Sequence, residues 1–351
     1  MKKMNDKFNS SRRSFLKNMA ALSLSPLVVD FVHGDRLIPM KREEGKFVPV
    51  MLTPYHADMS IDFDALSRLI DFYEEAGAKG YFANCLSSEM YHLTPPERLS
   101  ITSHVVKRVA GKTPVVATGS FGESIEEKAD FTRQIGASGV EAVILISSHF
   151  VGKEEDDQIF IQNLEQFLLR TDSIPLGSYE CPNPYKRIIS PEVYAFMVRS
   201  GRFIYHKDTS ENLEMIEEKL QISANGLLQL YNAHSGSAVA SIQAGAAGMS
   251  PISGNFYPEV ITWIAKNAHR LDRKEDLKWI QSEISHTEPI ISKVYPVSAK
   301  YFLQLRGLPL QTVSRSSKGV LSEEQRNALA EVHTRFLGWC ERLNIKPVTF
   351  S

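Results

Sequence analysis

A repeated rhythm constrains this chain more than any other feature. Between residue 46 and about residue 270 a short apolar run, a loop and an amphipathic helical stretch recur eight times. The apolar runs fall at residues 46–52, 80–84, 114–118, 141–147, 175–179, 203–207, 226–231 and 247–252. Residues 62–76 place Phe63, Leu66, Ile70 and Tyr73 on one helical face, and Gly77 can end that helix. Thr94, Pro95, Pro96 and Glu97 form a capping box with prolines in the first turn, and Ser124 with Glu127 repeats the device. Eight such units in roughly 220 residues match an α/β fold of the (β/α)8, or TIM, barrel type. A doubly wound open sheet fits the count less well, and no GxGxxG follows the first strand to support a dinucleotide site. The expected organisation is an export signal and spacer over residues 1–35, the barrel over 36–270, and a C-terminal helical extension over 271–351, with its clearest helix at 322–343.

The N-terminus has a different character. Residues 1–18 hold six basic side chains and one acid, which leaves 34 basic and 40 acidic residues, a balance of −6, in the remainder. No basic stripe is left there to neutralise phosphates, so a nucleic-acid partner is not expected. Ser11, Arg12, Arg13, Ser14, Phe15, Leu16 and Lys17 form a twin-arginine pattern. The weakly apolar stretch after it, residues 19–29, is short for a bilayer span and is broken by Pro26. Export through the twin-arginine route to the periplasm, without a stable membrane anchor, is the expectation. Cys85, Cys181 and Cys340 make neither a disulfide framework nor a zinc pattern.

One strand carries the chemistry. The run from Phe203 to Lys207 delivers a single lysine to the end of an apolar strand, with Asp208, Thr209 and Ser210 beginning the next loop. Desolvation disfavours a charged amine, and a neutral amine is a nucleophile for a carbonyl carbon. A lone lysine there is more often a snorkelling side chain, so the surroundings decide. In a barrel, strand C-termini converge on one mouth. Thr53, Ser87, Ser88, His149, Tyr179, Lys207 and Ser250 would meet there, a hydroxyl-rich set suited to imine chemistry. That chemistry needs no metal or other cofactor. Tyr205 lies two residues before Lys207, shares its side of the strand, and either packs or narrows the pocket floor.

At this point the residues carry a resemblance to the dihydrodipicolinate synthase / N-acetylneuraminate lyase family of class I aldolases. It rests on Leu52, Thr53, Pro54 and Tyr55; on Ser87, Ser88 and Glu89, followed by Thr94 to Arg98; and on Tyr179, Glu180, Cys181 and Pro182. It continues through Lys207 to Ser210, the run 244–250, and the run 299–309. The resemblance implies that Lys207 is the Schiff-base lysine and Tyr179 the phenol that passes protons. It places Ser87 and Ser88 in the loop that cradles the keto-acid carboxylate, and gives Glu89 a structural part. It also implies a small 2-keto acid as partner and a homo-oligomer, tetramer or dimer.

Departures from the pattern bear on the substrate. The second relay tyrosine after the fourth strand falls at Phe150, next to His149, which is either an acid/base substitute or an ordinary loop histidine. The relay's threonine pair becomes Leu86 and Ser87. The arginine after the fifth strand falls at Pro184, with Lys186 and Arg187 as possible substitutes. These changes, with export, argue against lysine biosynthesis. They favour cleavage or condensation of a pyruvate-type or sugar-acid-derived 2-keto acid. The alternative is a keto-acid-binding protein on a degenerate barrel.

Overall fold

The computed structural model describes residues 44–349. The twin-arginine pattern and residues 36–43 of the expected barrel domain lie outside them. Among the described residues, eight parallel strands form one sheet in the order β1-β8-β7-β6-β5-β4-β3-β2. They are β1 Lys46–Phe47, β2 Tyr81–Ala83, β3 Val115–Thr118, β4 Ala142–Ile146, β5 Leu176–Tyr179, β6 Phe203–Asp208, β7 Gln229–Asn232 and β8 Gly248–Met249. A parallel bridge between Val50 and Phe82 brings β2 back to the first strand and closes the ring. The fold is the (β/α)8 barrel expected from the rhythm.

The first strand is shorter than the apolar run at 46–52 suggested. Pro49 has no N–H, so the run zips alternately instead. Val48 N–H donates to the Met249 carbonyl at 2.9 Å, Phe82 N–H to Pro49 at 2.9 Å, and Met51 N–H to Phe82 at 3.1 Å.

The covering helices are α1 Phe63–Glu75, α2 Pro95–Val109, α3 Ile125–Ala137, α4 Asp157–Leu168, α5 Pro191–Ser200, α6 Leu213–Ser223, α7 Ala238–Ala244 and α8 Pro258–Asn267. Their starts follow the capping residues. Asp62 accepts from Ala65 N–H, and both Thr94/Glu97 and Ser124/Glu127 are complete capping boxes. The C-terminal extension is α9 Lys274–Ile291, α10 Val297–Leu305 and α11 Glu323–Leu343, the last capped by Ser322.

Two apolar layers result. The larger lies between sheet and helices and includes Leu66, Ile70, Phe160, Phe167, Val193 and Ile261. The smaller fills the barrel and includes Val50, Phe82, Val116, Ile144, Tyr179, Tyr205 and Tyr231.

Strand β6 decides which side chains enter the barrel, and it does so through a bulge. Leu176 pairs with Phe203 but Gly177 pairs with Tyr205, so Ile204 is an extra residue. Phe203 packs in the outer layer, whereas Ile204 and Tyr205 both pack in the inner one. Without the slip, strict alternation from Phe203 would turn Tyr205 and Lys207 outward. Gly177 allows the close approach this requires: a Cβ there would meet Ile144 Cδ1 at 2.4 Å and the Tyr205 carbonyl at 2.9 Å.

Beyond the bulge His206 and Asp208 face outward, beneath α6. There Lys219 Nζ lies 2.6 Å from both Glu180 Oε1 and Asp208 Oδ2, and all three side chains are fully buried. His206 accompanies them, its Nδ1 2.9 Å from Ser178 Oγ. Burial works against the Lys219 charge, but the two carboxylates outweigh it and raise its affinity for the proton. Replacing the ammonium leaves two buried carboxylates with only the His206 imidazole, its Nε2 3.7 and 3.5 Å away, to answer them. Lys219→Met is therefore expected to lower stability by about 3–5 kcal/mol, read as a drop in the urea unfolding midpoint. An unchanged midpoint would show that the cluster does not hold β6.

Candidate active site

Lys207, the next-to-last residue of β6, points into the barrel, where it is 4% exposed. Its register partner across the sheet is Tyr179, the last residue of β5. Nζ lies 4.6 Å from the centroid of the Tyr179 ring and 5.8 Å from that of Phe82. Among the described residues no carboxylate makes a salt bridge to it; its ionisable neighbours are the thiols of Cys85 and Cys181. Burial pulls its pKa down to about 8, and the two thiols only partly offset this. About a tenth of the amine is therefore neutral at pH 7.

Tyr179 is fixed by an edge contact with Phe82 at 5.7 Å between centroids. Burial, then its nearness to Cys181 and Cys85, pushes the phenol well above its usual pKa. It stays protonated and can give a proton to a leaving hydroxyl. Below the lysine, Tyr205 stacks on Tyr231 with centroids 4.5 Å apart and ring planes 19° from parallel. This pair makes the floor between the lysine and a cavity of about 340 Å3 at the other end of the barrel. Tyr205 thus packs and sets the floor.

The loop after β2 forms one wall. Asn84 and Glu89, at its two ends, adopt left-handed backbone conformations, with φ of 53° and 61°. Ser87 faces Tyr295, whose hydroxyl donates to Ser87 Oγ at 2.7 Å. Ser88, Thr53 and Ser250 are differently occupied. Ser88 donates to the Met51 carbonyl at 2.7 Å, Thr53 to the Ser88 carbonyl at 2.7 Å, and Ser250 to the Val48 carbonyl at 2.8 Å. As placed, these three hydroxyls tie the backbone of the mouth together.

Glu89 anchors the loop. It meets Lys300 at 2.9 Å and accepts from Ser314 Oγ and from the backbone N–H groups of Arg315 and Ser316. Burial opposes its charge, yet Lys300 and those hydrogen bonds hold the carboxyl below its usual range. The C-terminal extension is thereby joined to the mouth.

His149 stands apart from the lysine. Its Nε2 lies 3.1 Å from the Tyr91 hydroxyl and its Nδ1 2.6 Å from the Ser120 carbonyl. Burial chiefly brings its pKa down to about 4, so it is neutral. Phe150 turns away to pack edge-on against Phe167, centroids 4.9 Å apart. Lys186 and Arg187 are engaged elsewhere, with Glu211 at 3.3 Å and Asp157 at 2.7 Å.

Tyr91, Cys181 and Tyr295 enter the site without having been foreseen. Cys181 had a signal: two residues after Tyr179, it shares that residue's side of the chain. Tyr295 had none, because it arrives from the extension. Glu180, His206 and Asp208 offer ligand atoms within 4.8 Å of one another, but Lys219 already sits against both carboxylates.

A desolvated lysine at a barrel strand end, with a protonated phenol against it, is the equipment for imine formation with a carbonyl substrate. The fold and site define a class I aldolase-type lyase. The chain belongs to the Dihydrodipicolinate synthetase family, whose sequence pattern matches residues 44–335. A 4-hydroxy-tetrahydrodipicolinate synthase of Oceanobacillus iheyensis is 24% identical over 274 residues, covering 76% of this chain and 85% of its own length. YagE, an E. coli K12 prophage protein of the dihydrodipicolinic acid synthase family solved in complex with pyruvate, shares the fold with a TM-score of 0.72. It is 18% identical, covering 86% of this chain and 99% of its own. A monomeric dihydrodipicolinate synthase variant gives a TM-score of 0.75 at 17% identity, covering 86% and 99%.

The lowered basicity of Lys207 is directly measurable. Competitive labelling with trace acetic anhydride, read by peptide mass spectrometry, should give Lys207 a reactivity midpoint near pH 8. Below it, reactivity should fall about tenfold per pH unit as the amine gains its proton. A midpoint in the ordinary lysine range would contradict the desolvated site.

Proposed function

We propose that this lyase cleaves or condenses a 2-keto acid, pyruvate-type or derived from a sugar acid, through an imine on Lys207. The observation that carries the reading is the buried Lys207 amine, 4% exposed, with Tyr179 against it. The neutral amine attacks the keto carbon, and the Tyr179 phenol protonates the departing hydroxyl of the carbinolamine. The resulting iminium withdraws electrons from the bond to be broken or from C3. Ser87, with Tyr295 behind it, faces the position proposed for the carboxylate.

Lysine biosynthesis is disfavoured by the residues around this core. Phe150 is committed to Phe167, Pro184 replaces the expected arginine, and Lys186 and Arg187 are held by acidic partners. The twin-arginine pattern at Arg12 and Arg13 supports work in the periplasm. No described helix is long and apolar enough to cross a membrane. A homo-oligomer is proposed by analogy with the family.

Intact-protein mass spectrometry after incubation with pyruvate and borohydride tests the imine. One reduced pyruvate adduct is expected, absent from Lys207→Ala. A 2-keto-3-deoxy sugar acid should in turn release pyruvate. No adduct with pyruvate or longer 2-keto acids would overturn the lyase reading in favour of the keto-acid-binding alternative.

A further inference from the structure

A second cavity opens at the end of the barrel away from Lys207. It holds about 340 Å3 and lies beneath the stacked rings of Tyr205 and Tyr231. In a (β/α)8 barrel that space is ordinarily filled by a layer of side chains. Here Gly80 leads into β2 and Pro114 into β3, and neither projects a long side chain into it. Val48, Val116 and Tyr231 are buried along its wall, and Ile204, the extra residue of the β6 bulge, completes an apolar sleeve. Leu227 stands at the entrance, 69% exposed.

The polar groups gather at the rim, and their directions can be deduced. The Tyr231 hydroxyl donates to Gln229 Oε1 at 3.0 Å, and Lys46 Nζ lies 3.4 Å from the same atom. An ammonium only donates, so that atom is the amide oxygen and the other is the amide nitrogen. The Gln229 Nε2 donors and the rest of the Lys46 ammonium are left over. Among the described residues no carboxylate makes a salt bridge to Lys46. Glu141, just before β4 and three strands round the ring from β1, lines the same cavity, also without an ion-pair partner among the described residues.

We propose that this cavity binds an aromatic monocarboxylate with a hydroxyl at its far end, a hydroxyphenyl acid in class. The ring lies in the sleeve against Tyr231 and Ile204. The carboxylate takes the free donors of Lys46 and Gln229, an anion offered to a cation that has none. The hydroxyl at the other end donates to Glu141, whereas a second carboxylate there would meet like charge. The size agrees: an apolar cavity of about 150 Å3 holds benzene, and this one has room for the ring and both substituents. Pyruvate and sugar acids lack the apolar body that the sleeve would desolvate. No bond is made or broken. The site stands whether or not Lys207 forms an imine, because the Tyr205–Tyr231 stack separates the two.

The probe is 4-hydroxyphenylacetate, titrated into the protein and followed by isothermal calorimetry. Saturable one-to-one binding is expected, with a Kd of about 1 mM or tighter, and the same in Lys207→Ala. Lys46→Met and Gln229→Glu should each weaken it about tenfold or more: the first removes the cation, and the second pairs it with a new carboxylate. Gln229 is exposed and Lys46 half-buried at the rim, so both changes leave the core intact. Tyramine, with an amine in place of the acid, and terephthalate, with a second acid in place of the hydroxyl, should bind about tenfold less tightly or worse. Absence of saturable binding overturns the inference. So does binding that Lys207→Ala abolishes, or that both rim variants leave unchanged, since either puts the probe outside this cavity. Tyramine or terephthalate binding as tightly as the probe overturns the ligand class.

Discussion

The extra residue Ile204 sets the charges of this site on opposite sides of one wall. It turns Tyr205 and Lys207 into the barrel and sends His206 and Asp208 out beneath α6. Asp208 is thus adjacent to Lys207 in sequence, yet its carboxylate is spent on Lys219, 2.6 Å away on the far face. Glu180, adjacent to Tyr179, is spent in the same place. Two lysines flank one strand end: one is held charged by two carboxylates, and the other is left with aromatic faces and two thiols. The lowered pKa of Lys207 follows from that division. Gly177 permits it, since any larger residue would collide with the backbone of Tyr205.

The mouth of the barrel depends on the C-terminal extension as well as on the strands. Glu89 closes the loop after β2 by pairing with Lys300 of α10 and accepting from the 314–316 segment. Tyr295, between α9 and α10, then reaches Ser87 and is held in turn by Asn255, whose amide nitrogen lies 2.6 Å from its hydroxyl. The extension therefore supplies part of the wall against which a substrate would lie. The same buried pairing makes the loop a rigid support, because either charge left alone would be strongly unfavourable.

The barrel was legible because its signals are local. Capping boxes at Thr94 and Ser124, the apolar face of α1 and the short apolar runs each declare themselves within a few residues. Lys207 and Tyr179 were legible because both end such runs. The rest depends on contacts distant in sequence. The run from Phe203 to Asp208 does not advertise a bulge, which exists only against Gly177 of β5. Ser88, Thr53 and Ser250 read as a binding set, but parallel strand ends leave carbonyls that need donors, and these hydroxyls supply them. His149 lay in the right loop, yet its partner Tyr91 comes from a different one. Cys181 alone could have been read from its spacing to Tyr179.

The central claim is that the Lys207 amine, turned inward by the Ile204 bulge, bonds covalently to a 2-keto acid beside Tyr179. A crystal structure of the protein soaked with pyruvate tests this most directly. Continuous electron density from Lys207 Nζ to the keto carbon, with the Tyr179 hydroxyl within hydrogen-bonding reach of the adduct, is the predicted result. Pyruvate bound with a gap between its carbon and Nζ, or bound away from the lysine, would contradict the account.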